Sequence, residues 1–164
     1  MKKAQNKTST PVTKTSTARI LKVADCPSLS EKSTLIYHIG CNDKSDIQIR
    51  VYSNSSNGYF SNEWISLKSI QETIAKRPKD LPITSYLLHN LYRSKSINNP
   101  GFLFAVLKQE KLVVRLKENP RWYDTVDSKV FMGEVKALID SDVSLNADDK
   151  PKKAAKKKVK AKAA

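Results

Sequence analysis

Thr34-Leu35-Ile36-Tyr37-His38-Ile39, Gly40-Cys41-Asn42-Asp43-Lys44-Ser45-Asp46 and Ile47-Gln48-Ile49-Arg50-Val51-Tyr52 are the consecutive stretches on which the fold turns. The first is β-branched and aromatic, a composition that suits a pleated, half-buried surface. The second is a cluster of turn formers. The third alternates, so Ile47, Ile49 and Val51 share one face of a strand. Together they predict an antiparallel β-hairpin. Upstream, Ile20-Leu21-Lys22-Val23-Ala24 reads as a short strand that Asp25-Cys26-Pro27-Ser28 breaks. Downstream, Ser53 to Gly58 ends the hairpin, and Tyr59-Phe60 is expected to start a further short strand.

Past residue 65 the period changes. Ser66 is a good N-cap, and Leu67, Ile70 and Ile74 repeat at helical spacing until Pro78. Thr84 is expected to cap a second helix, over 84–93, with Leu87, Leu88 and Leu91 on one face. Asn99-Pro100 opens a third, over 99–110, because proline at the first helical position loses no bond. Its stripe is Leu103, Val106 and Leu107. Val113-Val114-Arg115-Leu116 reads as a strand, Lys117-Glu118-Asn119-Pro120 as a turn and Arg121-Trp122-Tyr123 as the returning strand. Val130, Val135, Leu138 and Ile139 predict a last short helix.

The fold class expected is therefore α+β, with an N-terminal β-hairpin or small antiparallel sheet followed by three helices and a second hairpin. Residues 67–123 resemble winged-helix DNA-binding domains in this order of elements, and the stretch from Phe104 to Val113 resembles a third helix running into its wing. The resemblance implies DNA binding with the third helix in a major groove. That helix is short of groups that read bases, since Gly101 to Leu107 offers almost no donors or acceptors. Asn98, Asn99, Lys108 and Lys111 are its candidates, and the wing adds Arg115, Lys117 and Arg121. Such a supply suits backbone contact more than sequence reading.

Charge is segregated. The net charge is +14, yet residues 1–19 carry five basic side chains and no acid, and residues 150–164 carry eight lysines and no acid. The body over 20–149 is thus nearly neutral, at +1. Within it, 65–123 holds eleven basic against four acidic residues, while 124–149 holds two against seven. A basic middle is either a second contact surface or a solvated face paired within the domain. Residues 1–18 and 141–164 lack apolar periodicity and are expected to be disordered basic tails flanking one folded domain over 19–140. The C-terminal tract carries Lys152, Lys153, Lys156, Lys157, Lys158, Lys160 and Lys162 among alanines. It resembles the Lys/Ala tails of linker-histone-like and bacterial nucleoid proteins, which implies polyanion binding.

Other chemistries find little material. Cys26 and Cys41 read as free thiols, and with His38 and His89 they form no zinc-ligand spacing. There is no phosphate loop or nucleophile elbow, so no cofactor, metal or catalytic activity is expected. His38 and Cys41, three residues apart, are the nearest approach to a base and nucleophile. Trp122-Tyr123 beside Arg121, and Trp64 with Tyr59-Phe60, are aromatic groups able to stack on single-stranded bases or to serve as core. No apolar run reaches membrane-spanning length, and no apolar stretch follows the basic N-terminus as a secretory signal requires. The expectation is a cytoplasmic, nucleoid-associated, non-enzymatic protein that binds nucleic acid, DNA ahead of RNA. The competing expectation is a protein-protein adaptor whose basic tails only localise it.

Overall fold

The structure, a computed structural model, describes residues 18–151. It is α+β. Strands β1 (Arg19–Pro27), β2 (Thr34–Cys41), β3 (Ile47–Asn54) and β4 (Ile65–Ser66) form an antiparallel sheet in sequential order. Three α-helices follow, α1 (Leu67–Ala75), α2 (Asn98–Gln109) and α3 (Lys129–Asp140). A 3-10 helix (Ser85–Leu91) separates α1 from α2, and a hairpin of β5 (Val113–Arg115) and β6 (Tyr123–Thr125) separates α2 from α3.

The predicted hairpin is β2–β3. Register pairs Tyr37 with Val51 and Ile39 with Ile49, so the alternation buries Leu35, Tyr37, Ile39, Ile49 and Val51 on one face. α2 lies against that face. Its residues Leu103 to Leu107 are all buried, at 3% exposure or less. α1 closes the same core with Leu67, Ile70 and Ile74. The Ser66 hydroxyl accepts from the Ser69 N–H, as its place in the sequence predicts.

Several expected boundaries are corrected. β1 runs through Asp25 and Cys26 to Pro27 because it is an edge strand, and a proline in its last position leaves no ladder bond unmade. Tyr59-Phe60 forms no strand. The Tyr59 carbonyl accepts from Ser96 and Asn98, Phe60 packs on Phe102, and Ile65–Ser66 supplies the fourth strand. The helix expected over 84–93 is 3-10, not α. Thr84 makes no side-chain cap, and a three-residue repeat suits Leu88 and Leu91. The returning wing strand starts at Tyr123, not at Arg121, because Asn119 caps the turn through the Arg121 and Trp122 N–H groups.

The largest correction concerns the C-terminal boundary. Residues 141–151 belong to the folded body. Val143 N–H donates to the Leu138 carbonyl after α3, and Leu145 N–H donates to the Ile20 carbonyl at 2.9 Å, forming an antiparallel bridge to β1. The alternation Val143-Ser144-Leu145 carries this contact, with Val143 and Leu145 half-buried. The remainder of the predicted C-terminal tail, 152–164, and residues 1–17 of the N-terminal one lie outside the described residues.

Candidate nucleic-acid interface

The wing residues are not equivalent. Lys117 and Arg121 are exposed in the loop joining β5 to β6. Arg115 turns inward instead. Its guanidinium reaches the Leu29 carbonyl and the Tyr123 hydroxyl, at 3.5 and 3.4 Å, and its Nε is buried without a hydrogen bond. Arg115 thus ties the hairpin to the β1–β2 turn. Lys108 is half-buried in the last turn of α2. Lys111 is exposed and sits at φ 58°, the left-handed step that ends the helix, where the Leu112 N–H returns to the Leu107 carbonyl. Asn98 and Asn99 are committed internally. Asn98 donates to the Tyr59 carbonyl, and buried Asn99 bonds both Ser61 and Ser94. Lys152, Lys153, Lys156, Lys157, Lys158, Lys160 and Lys162 lie outside the described residues.

The aromatic groups also divide. Tyr123 is core, 4.7 Å from Phe104 in an edge-to-face pair, while Trp122 is 39% exposed. Trp64 lies on the sheet face opposite the helices and takes part in a cluster that the strand alternation builds. Register aligns Val23, His38 and Arg50 across that outer face. A bulge in β3 leaves Tyr52 without a partner in β2 and turns it onto the same side. The His38 and Tyr52 rings stack at 4.4 Å. The Arg50 guanidinium lies 4.5 Å from the Trp64 ring centroid and 5.2 Å from that of Tyr52. Gly40 makes room for Trp64, because a Cβ there would meet the indole at 2.9 Å and the Arg19 carbonyl at 2.7 Å.

Protonation follows from this packing. Arg50 Nε donates to His38 Nδ1 at 3.1 Å, which leaves the imidazole proton on Nε2. Burial first, then the Arg50 cation, lower the His38 pKa to about 4, against the opposing Ala147 carbonyl and Asp148 carboxylate. Ala147 approaches the ring without completing a hydrogen bond at Nε2, which is buried and unpartnered among the described residues. Burial likewise lowers the pKa of Arg50. The segment after Leu145 covers this cluster, and the Tyr52 hydroxyl donates to Asp148 Oδ1 at 2.6 Å.

Two other polar groups serve the fold. Glu110, its side chain 5% exposed, accepts from Lys22 Nζ at 2.7 and 2.9 Å and from the Tyr37 hydroxyl. Burial, then Glu110, raises the Tyr37 pKa well above the ordinary phenol range. Cys26 is buried and its thiol is pushed up to about 12, so it stays protonated at neutral pH. His38 and Cys41 face opposite sides of β2, three residues apart on one strand, and cannot act as base and nucleophile together. Among the described residues no group of His, Cys, Asp and Glu is arranged to hold a metal, and no helix is long and apolar enough to cross a membrane.

The outer-face cluster was only partly legible in the sequence. Alternation in β2 and β3 puts His38 and Arg50 opposite the apolar face, but the approach of Trp64 and Asp148 depends on the tertiary fold. No protein-family model, curated protein or solved structure matches this chain.

Proposed function

We propose that this chain is a non-enzymatic nucleic-acid-binding protein, DNA favoured over RNA, that engages phosphates through its C-terminal lysines and the exposed basic loops of its folded body. The observation that carries the reading is charge segregation, with eight lysines and no acid over 150–164 against a body at +1. Such a tract neutralises phosphates and releases counterions without needing sequence-specific contacts. On the body, Lys117, Arg121 and Lys111 are exposed and free to add backbone contacts.

The winged-helix order of elements favours duplex DNA, but the placement of α2 gives groove docking no support. Leu103 to Leu107 face the core, and Asn98 and Asn99 are already bonded. Contacts from loops, the outer sheet face and the tail suit this body better than a recognition helix.

A second reading, docking of a partner protein, is favoured by one observation. Ile97 and Tyr59 are 86% and 78% exposed and are held together by the bonds from Ser96 and Asn98 to the Tyr59 carbonyl. A salt series with a DNA duplex separates the readings. Deleting 150–164 is expected to reduce the log–log slope by roughly 3–6 and to weaken binding to all sequences alike. Unchanged affinity and slope would refute the nucleic-acid reading and leave the docking surface.

A further inference from the structure

We infer that the outer face of the sheet is a binding site for unpaired nucleotides, and that residues 145–148 are a displaceable cover over it. The inference rests on the nucleic-acid reading above and names the form of nucleic acid that the folded body takes.

The first support is Arg50. Only its Nε is bonded, to His38, and no carboxylate lies within ion-pair distance of it among the described residues. A half-buried guanidinium fork resting on two aromatic rings, without an anion, is a receptor for phosphate, which it can hold with two parallel bonds. The second is the company it keeps. Trp64 and Tyr52, both half-buried, lie about 5 Å from that fork, and bases stack on such rings whatever their identity. A duplex keeps its bases paired and stacked inward, so these rings can be used only by a strand whose bases are free. The third is the buried His38 Nε2 donor, which completes no hydrogen bond among the described residues and is approached by Ala147 of the cover.

The cover is lightly held, and its charge is that of the ligand it would give way to. Among the described residues, one main-chain bond to Ile20 and one side-chain bond from Tyr52 fasten it. It brings Asp148, through its bond from Tyr52, to a face whose cation is Arg50, as a phosphate would be brought. The lysine tract begins at Lys150, two residues after the Asp148 contact. A strand captured by those lysines is therefore delivered beside the face at high effective concentration, where it competes with Asp148 of the same backbone segment.

The test uses the full chain in a Trp122→Phe background, so that Trp64 is the sole tryptophan, and takes the binding curves of that protein as reference. Probes are a short oligothymidylate, an oligouridylate, a duplex of equal length and an oligoglutamate peptide. Both single strands should quench Trp64, and the duplex and the peptide should not. Arg50→Lys keeps the charge but loses the fork, and should weaken single-strand binding roughly tenfold while changing duplex binding less than about twofold. Asp148→Asn and Tyr52→Phe loosen the cover without touching the fork, and each should strengthen single-strand binding by about threefold. The Tyr52 and Asp148 variants keep the test decisive if the Arg50 variant folds poorly. If duplex and single strand still bind the reference while none of these substitutions changes either affinity, the tail is the sole contact; the proposed function then stands and this inference falls. If neither form binds, both fall. Quenching by oligoglutamate alone would assign the face to an acidic protein segment and overturn the inference.

Discussion

His38 should make this fold acid-labile in a way that can be isolated. The ring is fully buried, its Nδ1 accepts from Arg50, and the groups facing it are Arg50, Tyr52 and Trp64 from the sheet and Ala147 and Asp148 from the covering segment. The folded pKa is about 4, against 6.5 for the free side chain, with burial the main cause and Arg50 the second. The group is depressed, so its contribution is present in full above the unfolded pKa. It fades as pH falls from 6.5 and is gone below about 4, where both states carry the proton. A depression of that size corresponds to about 3 kcal/mol, since each pKa unit is worth about 1.4 kcal/mol. Urea denaturation across this range, comparing the native chain with His38→Gln, reads the effect directly. Glutamine can accept from Arg50 without titrating, and the carboxylates common to both proteins cancel in the difference. The stability difference should shift by about 3 kcal/mol toward the variant between neutral pH and pH 4. A difference that stays flat over that interval would refute the argument, since it would mean that His38 is solvated or already charged in the folded state.

Other expectations follow from the interior. Leu107→Ala should cost roughly 2–4 kcal/mol in chemical denaturation, because Leu107 is 1% exposed in the α2 stripe; a loss under about 1 kcal/mol would contradict its burial. Lys22→Met should cost about 2–3 kcal/mol by leaving the Glu110 carboxylate buried with Tyr37 alone, a figure discounted because the Lys22 side chain is 33% exposed. Adding Glu110→Gln to Lys22→Met should recover most of that loss, and a double variant weaker than the single would show that the pair is not coupled.

The strands and helices legible in the sequence are those whose signal is local. Ile47, Ile49 and Val51 alternate within one strand, Ser66 caps the helix it precedes, and Leu67, Ile70 and Ile74 repeat within it. What the sequence hid depends on distant partners. Asp25-Cys26-Pro27 contains breakers, but at a sheet edge opposite Thr34 the strand tolerates them. Residues 141–151 look like the polar tract that follows them. They are held by Ile20 and Tyr52, more than 90 positions away in sequence, and no local pattern shows such partners. The candidate site has the same history. Arg115 reads as a free wing cation, yet the adjoining Tyr123 and Leu29 take up its guanidinium. Arg50 reads as an ordinary solvent-face residue of a strand, and only the approach of Trp64 over Gly40 gives it a site.

On the proposed function, these reversals narrow where the body can meet a polyanion. Leu103 to Leu107 lie at the centre of the core against β1, β3 and the 3-10 helix, so this stretch of α2 offers no side chain to a groove. The basic excess of 65–123 is expressed through loops and through the exposed Lys68 of α1. Part of it is spent internally: Arg77 bonds the Ile74 and Leu81 carbonyls, and Arg115 bonds Leu29. The outer sheet face has the opposite character, with the Arg50 cation among three rings and no anion paired to it among the described residues. A run of lysines gives affinity that salt erodes, whereas one fixed fork among aromatic rings gives geometry that salt erodes less. The folded segment 141–151 links the two, since it begins at the end of α3, crosses β1 at Ile20, reaches Tyr52 and continues into the lysine tract.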